Sequence, residues 1–375
     1  MQKLFEEYKM CITPLTPIHI GSGEELMPGE YFVFQDNGRY KLYRIDMGYL
    51  ASKLTDKSRD NLCNMIAKDP IKWVDDAARK DSLVELIRKY AWFYAVVNND
   101  VADGVRERWG KNDSMLAIKT LQRTGQDPII PGSSIKGAIR TALLWSLVKK
   151  PLELPETLLQ FNDKSHHAKV TSWERRDVLK SQSSEIQDDL LRHLKIADCK
   201  ARGLVSRILV TDHVGMSDKR GKQSAIIDYR ECFPGELQLG RNYNLETSLV
   251  IASGHPHYLY GRVRITSQLI LKACRDFYLK VLEADKDYWE KQGRNDILGI
   301  CERIEQVFKE LPEDKGALIK LGWGGGMDSI SLNLAKRDGK HPPGRINPQF
   351  RYNPKTRRLL GGYPPGWAVL KLEKV

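Results

Sequence analysis

Pro131-Gly132-Ser133-Ser134-Ile135-Lys136-Gly137-Ala138-Ile139-Arg140 reads as a turn running straight into a helix. Pro131 and Gly132 break whatever precedes them. Ser133 has the chemistry of an N-cap, because its hydroxyl accepts a bond from a free amide of the first turn. Ile135, Ile139, Ala142 and Leu143 then recur on one face at helical spacing, which predicts a helix over 133–148. Lys136 and Arg140 stand four apart on a neighbouring face, where like charges repel slightly. An anion held between them and the helix N-terminus would reverse that repulsion. Free amides, a positive dipole end and two cations make this helix start a candidate phosphate site. The competing reading is an ordinary amphipathic helix with solvated charges; from this stretch alone it stands ahead.

Upstream, Tyr8 to Ile20 reads as an extended segment, with Ile18 and Ile20 on one side and His19 on the other. Pro14 and Pro17 place it at an edge or around a bulge. It runs into Gly21-Ser22-Gly23, read as a flexible turn. Tyr31 to Phe34 and Lys41 to Ile45 suit a hairpin around Asn37-Gly38. Residues 46–125 read as a mostly helical insertion. Its clearest helix starts near Ser82, with Leu83, Leu86, Ile87, Tyr90, Ala91, Tyr94 and Val97 on one face.

Downstream, residues 151–192 are polar and carry little periodicity before Ile186, as a loop or arm would. Strands are predicted at His193–Ala197, Val205–Val214, Ala225–Phe233 and Asn244–Ile251, the last two joined through Pro234-Gly235. Two amphipathic helices follow. One carries Leu269, Ile270, Ala273, Phe277 and Val281. The other carries Ile297, Ile300, Cys301, Ile304, Val307, Phe308 and Leu311, with Asn295 as its expected cap. Trp367 to Val375 alternates as a last strand. The order suggests an α+β fold of two related domains, 1–215 and 216–375.

The totals narrow the function. The 375 residues are 41% hydrophobic, which supports a sizeable core, and carry a net charge of +12, which suits a polyanionic partner. No apolar run approaches a membrane span, and charges at Lys3, Glu6, Glu7 and Lys9 interrupt any signal-peptide pattern. No strongly amphipathic basic helix supports a membrane-surface role. The six cysteines lack zinc-like spacing and read as reduced core thiols of a cytosolic protein. His166-His167 and His255-x-His257 form no ligand cluster. No metal or cofactor is therefore expected.

Two further stretches point to RNA. Lys320-Leu321-Gly322-Trp323-Gly324-Gly325-Gly326-Met327 holds four glycines in five residues. Glycine lets backbone amides approach a ligand closely. No Lys-Ser/Thr follows, so this is not a Walker loop, and the spacing fits no dinucleotide fingerprint. A flexible hairpin turn is the competing reading; an exposed Trp323 able to stack on a base tips the balance toward RNA. From Gly339 to Leu372 there is no acidic residue, while Lys340, Arg345, Arg351, Lys355, Arg357, Arg358 and Lys371 are interleaved with Phe350, Tyr352, Tyr363 and Trp367. That composition fits a single-stranded nucleic-acid surface and a solvated linker equally. His19 is the one candidate acid or base for RNA cleavage, but a lone strand histidine is more often structural. Asp36, Asp46, Asp198 and Asp212 form no defensible catalytic pair.

Together these pieces resemble a known family. Ile12-Thr13-Pro14-Leu15-Thr16-Pro17-Ile18-His19-Ile20-Gly21-Ser22-Gly23 resembles the first strand and turn of the RAMP proteins of CRISPR systems. Pro131 to Ala142 resembles their first core helix, and Leu321 to Gly326 their glycine-rich loop. Within the superfamily, the length and motif wording are most similar to the fifth-subunit family of type III-A Csm effector complexes. The resemblance implies two ferredoxin-like (RRM-like) domains and a non-catalytic subunit capping the 3′ end of the guide RNA. It also implies contacts with a neighbouring backbone RAMP subunit, the small helical subunit and target RNA. The RNA-binding residues it implies are His19, Gly21, Ser22, Gly23, Ser133, Ser134, Lys136, Arg140, Lys320, Gly322, Trp323, Gly324, Gly325, Gly326 and Met327. A guide-processing endoribonuclease and a target-cleaving backbone subunit are the alternatives.

Overall fold

The computed structural model describes residues 4–68, 81–108, 116–158, 166–181, 189–215, 228–240, 243–252, 263–337 and 350–375. Strand β1 (Glu6–Pro14) is followed by β2 (Gly21–Leu26) and a hairpin of β3 (Tyr31–Asp36) and β4 (Arg39–Arg44). Helices α1 (Met47–Ser52), α2 (Asp56–Lys68) and α3 (Asp81–Tyr90) lead to β5 (Phe93–Val97) and α4 (Asn99–Arg108). Short strands β6 (Ile118–Leu121), β7 (Arg123–Thr124) and β8 (Asp127–Ile130) precede α5 (Gly132–Leu147). Next come α6 (His166–Trp173), β9 (Leu194–Ile196), β10 (Cys199–Lys200), β11 (Arg207–Val214), β12 (Asp228–Cys232) and β13 (Leu245–Ile251). The chain finishes with α7 (Ser267–Lys291), α8 (Asn295–Glu310), β14 (Gly316–Lys320), α9 (Met327–Ile330), β15 (Arg357–Leu360) and β16 (Trp367–Lys374).

The main core lies against a five-stranded sheet ordered β14-β16-β1-β13-β9, antiparallel throughout. Tyr8, Met10 and Ile12 alternate along β1 into that core, where Ile135, Ile139 and Leu143 of α5 and Ile270, Phe277 and Val281 of α7 meet them. Each such fully buried apolar side chain contributes roughly 1.5–3 kcal/mol. Along the chain α5 falls between β1 and β9, and α7 with α8 between β13 and β14, while β16 inserts in the sheet between β14 and β1. The second sheet runs β2-β6-β12-β11-β5-β4-β3, with β15 also on β11. It is mixed, since β11–β5 and β12–β6 pair in parallel. One face packs on α4 through Val101, Ala102 and Val105; the other face of the β3–β4 hairpin packs on α1, α2 and α3.

Several expectations need correction. The boundary at 215/216 separates neither sheet: β1 lies between β13 and β16, and β12 and β15 flank β11. The second sheet does not repeat the order of the first. Residues 46–125 are not a helical insertion alone, since β5 and β6 are strands of the second sheet; Tyr94 and Val97 therefore lie on a strand, not on the helix ending at Tyr90. Gly21-Ser22-Gly23 begins β2 and pairs with β6 across an irregular register, so it is not a free turn. Asn295 is the first helical residue rather than the cap, which is Arg294. The β3–β4 hairpin is as expected, with Asn37 at φ 49° and Gly38 at φ 74°. His255, His257, Lys340 and Arg345 lie outside the described residues, as do the side chains of His166 and His167.

Candidate nucleic-acid interface

The glycine loop joins the end of β14 to α9, and its backbone is laced to two other segments. Trp323 N–H donates to the His19 carbonyl at 2.8 Å, Leu321 N–H to the Gly366 carbonyl at 2.8 Å, and Gly366 N–H to the Pro17 carbonyl at 2.9 Å. Gly322 has φ +77°, and a Cβ there would sit 2.3 Å from the His19 carbonyl oxygen. Only glycine lets these backbones meet. The loop is therefore a fixed surface, not the flexible turn of the competing reading.

Behind it lies a buried charge network. Asp285 accepts from Lys320 Nζ at 2.5 Å and from Arg357 Nε at 3.1 Å. Arg357 Nη2 also reaches Asp328 at 2.9 Å, and Asp328 accepts from Asn333 Nδ2 at 2.5 Å. Two cations and two carboxylates neutralise one another out of water, where each would be costly alone. Lys320 is thus a structural cation, contrary to its expected RNA-binding role. Asn333 extends the network to Tyr352, donating to its carbonyl and accepting from its amide. This ties the acid-free stretch to the loop.

Between those two segments runs a groove of about 460 Å³. Its wall on one side is the backbone of Gly322 to Gly326; Tyr352, Lys355 and Arg358 form the other. Met327 and Ile330 stand exposed at its edge, 45% and 69% respectively. Trp323 is half-buried rather than exposed. The Arg230 and Arg358 guanidiniums lie 3.6 and 4.6 Å from its ring centre, and His19 approaches edge-on at 6.5 Å. At the base of the groove, Arg357 Nη1 is buried without a hydrogen-bond partner. Exposed Lys355 and Arg358 supply cations for a sugar-phosphate strand, and the side-chain-free glycines leave room for it to approach the backbone.

His19 sits under the loop and is 2% exposed. Its Nδ1 donates to the Glu231 carbonyl at 2.7 Å, which fixes the Nδ1–H tautomer. Burial pulls its pKa down to about 4, so the ring is neutral near pH 7. The Glu231 carboxylate is itself held by Leu121 N–H at 3.0 Å, by Ser206 and by Arg123. Ser22 Oγ pairs with Thr120 Oγ1 at 2.7 Å, while Gly21 and Gly23 are exposed beside it on β2.

The start of α5 is arranged differently from expectation. The helix begins at Gly132, one residue before Ser133, and its cap residue Pro131 has no side-chain hydrogen bond. The Gly132 amide is taken by Asp198 Oδ1 at 2.9 Å, and a Cβ on Gly132 would lie 2.1 Å from the Ile196 carbonyl oxygen. Ser133 is therefore an exposed first-turn residue, not the cap, with Ser134 half-buried. Arg140 is already engaged, by Glu174 at 2.6 Å and Asp189 at 3.7 Å. Lys136 is half-buried, and burial lowers its pKa, with Asp189 opposing and Arg140 adding to the shift. Arg140 is not an open anion site, because Glu174 and Asp189 already occupy its guanidinium.

The model of the RAMP superfamily matches residues 11–327 of the sequence. The chain belongs to the RAMP superfamily. It is 23% identical over 272 residues to the CRISPR system Cms protein Csm5 of Mycobacterium tuberculosis (strain CDC 1551 / Oshkosh), covering 68% of this chain and 70% of that protein. It is 25% identical over 197 residues to the Csm5 of Methanocaldococcus jannaschii, covering 49% of this chain and 40% of that one. The fold is similar to that of a chain in the cryo-EM structure of a type III-A Csm–crRNA–target RNA ternary complex (TM-score 0.61, 17% identity, covering 98% of this chain and 100% of that one). It is similar as well to the crystal structure of T. onnurineus Csm5 (TM-score 0.60, 17% identity, covering 96% and 99%).

In this RAMP chain, sequence reasoning placed the glycine loop and Trp323 in one site, and the groove contains both. It named Tyr352, Lys355 and Arg358 only through the acid-free composition around them. Arg230, packed on Trp323 from β12, had no signal in the linear sequence; only strand pairing brings it there.

Proposed function

We propose that this chain is the RNA-binding subunit at one end of a type III-A Csm effector complex, where it holds the 3′ part of the guide RNA and performs no chemistry. The observation that carries the reading is the laced glycine loop facing Tyr352, Lys355 and Arg358 across a groove. Membership of the RAMP superfamily and similarity to proteins named Csm5 agree with it. The non-catalytic part is supported by His19, whose ring is buried, neutral near pH 7 and bonded to a backbone carbonyl. Its neighbours in the complex are then a backbone RAMP subunit and the small helical subunit, with target RNA passing nearby. Guide trimming falls to other nucleases, in the cytoplasm.

The test is reconstitution of the complex with wild-type chain or with Trp323→Ala plus Arg358→Ala. The wild type should enter at one copy per complex. The variant should bind guide about tenfold more weakly, with a salt slope lower by roughly 0.7 for the cation removed. Several copies per complex, or metal-free cutting of repeat RNA that His19→Ala abolishes, would overturn the reading.

A further inference from the structure

A second cleft, of about 560 Å³, opens where the end of α3 meets the start of α1 beside β4 and β5. Arg44, Asp46, Tyr49, Lys89, Tyr90 and Trp92 line it, and it shares no residue with the glycine groove. Its volume falls within the range of small-molecule sites, about 300–1,000 Å³. Tyr49 is 50% exposed and Trp92 37% exposed, and neither belongs to any of the hydrophobic clusters. These rings are not core filling.

Each ring here carries its own cation. The Arg44 guanidinium lies 4.2 Å from the Trp92 ring centre, Lys53 Nζ 4.9 Å from Tyr49, and Lys89 Nζ 5.2 Å from Tyr90. Tyr49 and Tyr90 meet edge-on, 6.2 Å apart at 79°. No carboxylate lies within 4 Å of Arg44, Lys53 or Lys89 among the described residues. Nearby Lys41 and Arg88 contrast with them, both being held by Asp36 at 2.7 and 3.1 Å. Asp46 adds one negative charge, but an oxygen of its carboxylate accepts the Tyr49 amide at 2.9 Å.

We propose that this cleft is a second RNA site, which takes an unpaired nucleobase among Tyr49, Tyr90 and Trp92 and sets the adjoining phosphate against Arg44, Lys53 and Lys89. Base stacking on aromatic rings is tolerant of sequence, and unpaired cations beside the rings supply the phosphate contact. Tyr, Trp and Arg suit a protein interface too, but the core of such an interface is depleted of Lys and Asp, and here Lys53, Lys89 and Asp46 stand among the rings. The nature of the ligand rests on the reading that RNA is this chain's partner; the position of the cleft does not.

The experiment measures binding of a ten-nucleotide single-stranded oligouridine to the full chain by fluorescence anisotropy. Tyr49→Ala plus Trp92→Ala should cost about five- to tenfold in affinity, and Trp92→Phe should retain most of it. Lys89→Glu changes an exposed side chain, leaves the fold intact and should weaken binding with a lower salt slope. If these variants bind like wild type while Trp323→Ala plus Arg358→Ala binds poorly, the second site is refuted and the glycine groove stands. If all bind like wild type, both fail. Loss of a protein subunit from the assembled complex, with RNA affinity unchanged, would also overturn the proposal.

Discussion

The start of α5 and the glycine loop look alike in the sequence and behave differently in the fold. Each combines small residues with nearby cations. At the α5 start Arg140 and the Gly132 amide are held by carboxylates from elsewhere in the chain, Glu174 and Asp198. At the glycine loop the neutralised cations, Lys320 and Arg357, are buried behind the surface. Lys355 and Arg358 stay exposed in front of it. A cationic motif thus stays open to a ligand only where the fold withholds its own acids.

The comparison breaks most severely at Asp285. Asp285→Ala leaves Lys320 and Arg357 buried without their shared carboxylate, and should cost about 3–5 kcal/mol in denaturant unfolding. A stability close to wild type would mean that the network does not hold the loop. Acid comes next. The folded pKa of His19 is about 4, below its unfolded value near 6.5, so the unfolded chain binds the extra proton. Stability supplied by neutral His19 is complete above about pH 6.5 and is lost as pH falls toward 4, by about 3 kcal/mol. The difference between wild type and His19→Gln, measured across that range, isolates it from other titrating groups.

Smaller changes sharpen the contrast between the two regions. Lys355→Ala plus Arg358→Ala should leave the melting temperature within a degree or two. Guide affinity should fall several-fold and the salt slope by roughly 1.4, twice the single-strand increment. Arg140→Ala should do the reverse: about 1 kcal/mol of stability lost with its half-buried ion pair, and RNA affinity nearly unchanged. A large affinity loss from Arg140→Ala would restore the phosphate role that Glu174 and Asp189 now fill.

Much of the architecture was legible from periodicity. The faces of α5, α7 and α8, the Asn37-Gly38 turn and the last strand follow directly from where apolar and turn residues fall. The stretch after Tyr90 was misread because Ala91, Tyr94 and Val97 continue the helical spacing by coincidence, while pairing with β4 and β11 draws Phe93–Val97 into a strand. Ser133 was misread because the close approach of Gly132 to Ile196 fixes the helix start one residue earlier. In the site, Gly322 and Trp323 were readable from composition. The burial of His19 and Lys320 was not, since both depend on partners far away in sequence, Glu231 and Asp285.

The place of β1 has a consequence for biosynthesis. Its neighbour β16 lies roughly 350 residues further along the chain. At about 5–20 residues per second, the ribosome needs roughly 20–70 s between making the two. Throughout that interval one edge of β1 stays open to stray pairing with other nascent chains. A polypeptide interrupted before Trp367 would leave that edge of the five-stranded sheet uncovered, as an aggregation hazard.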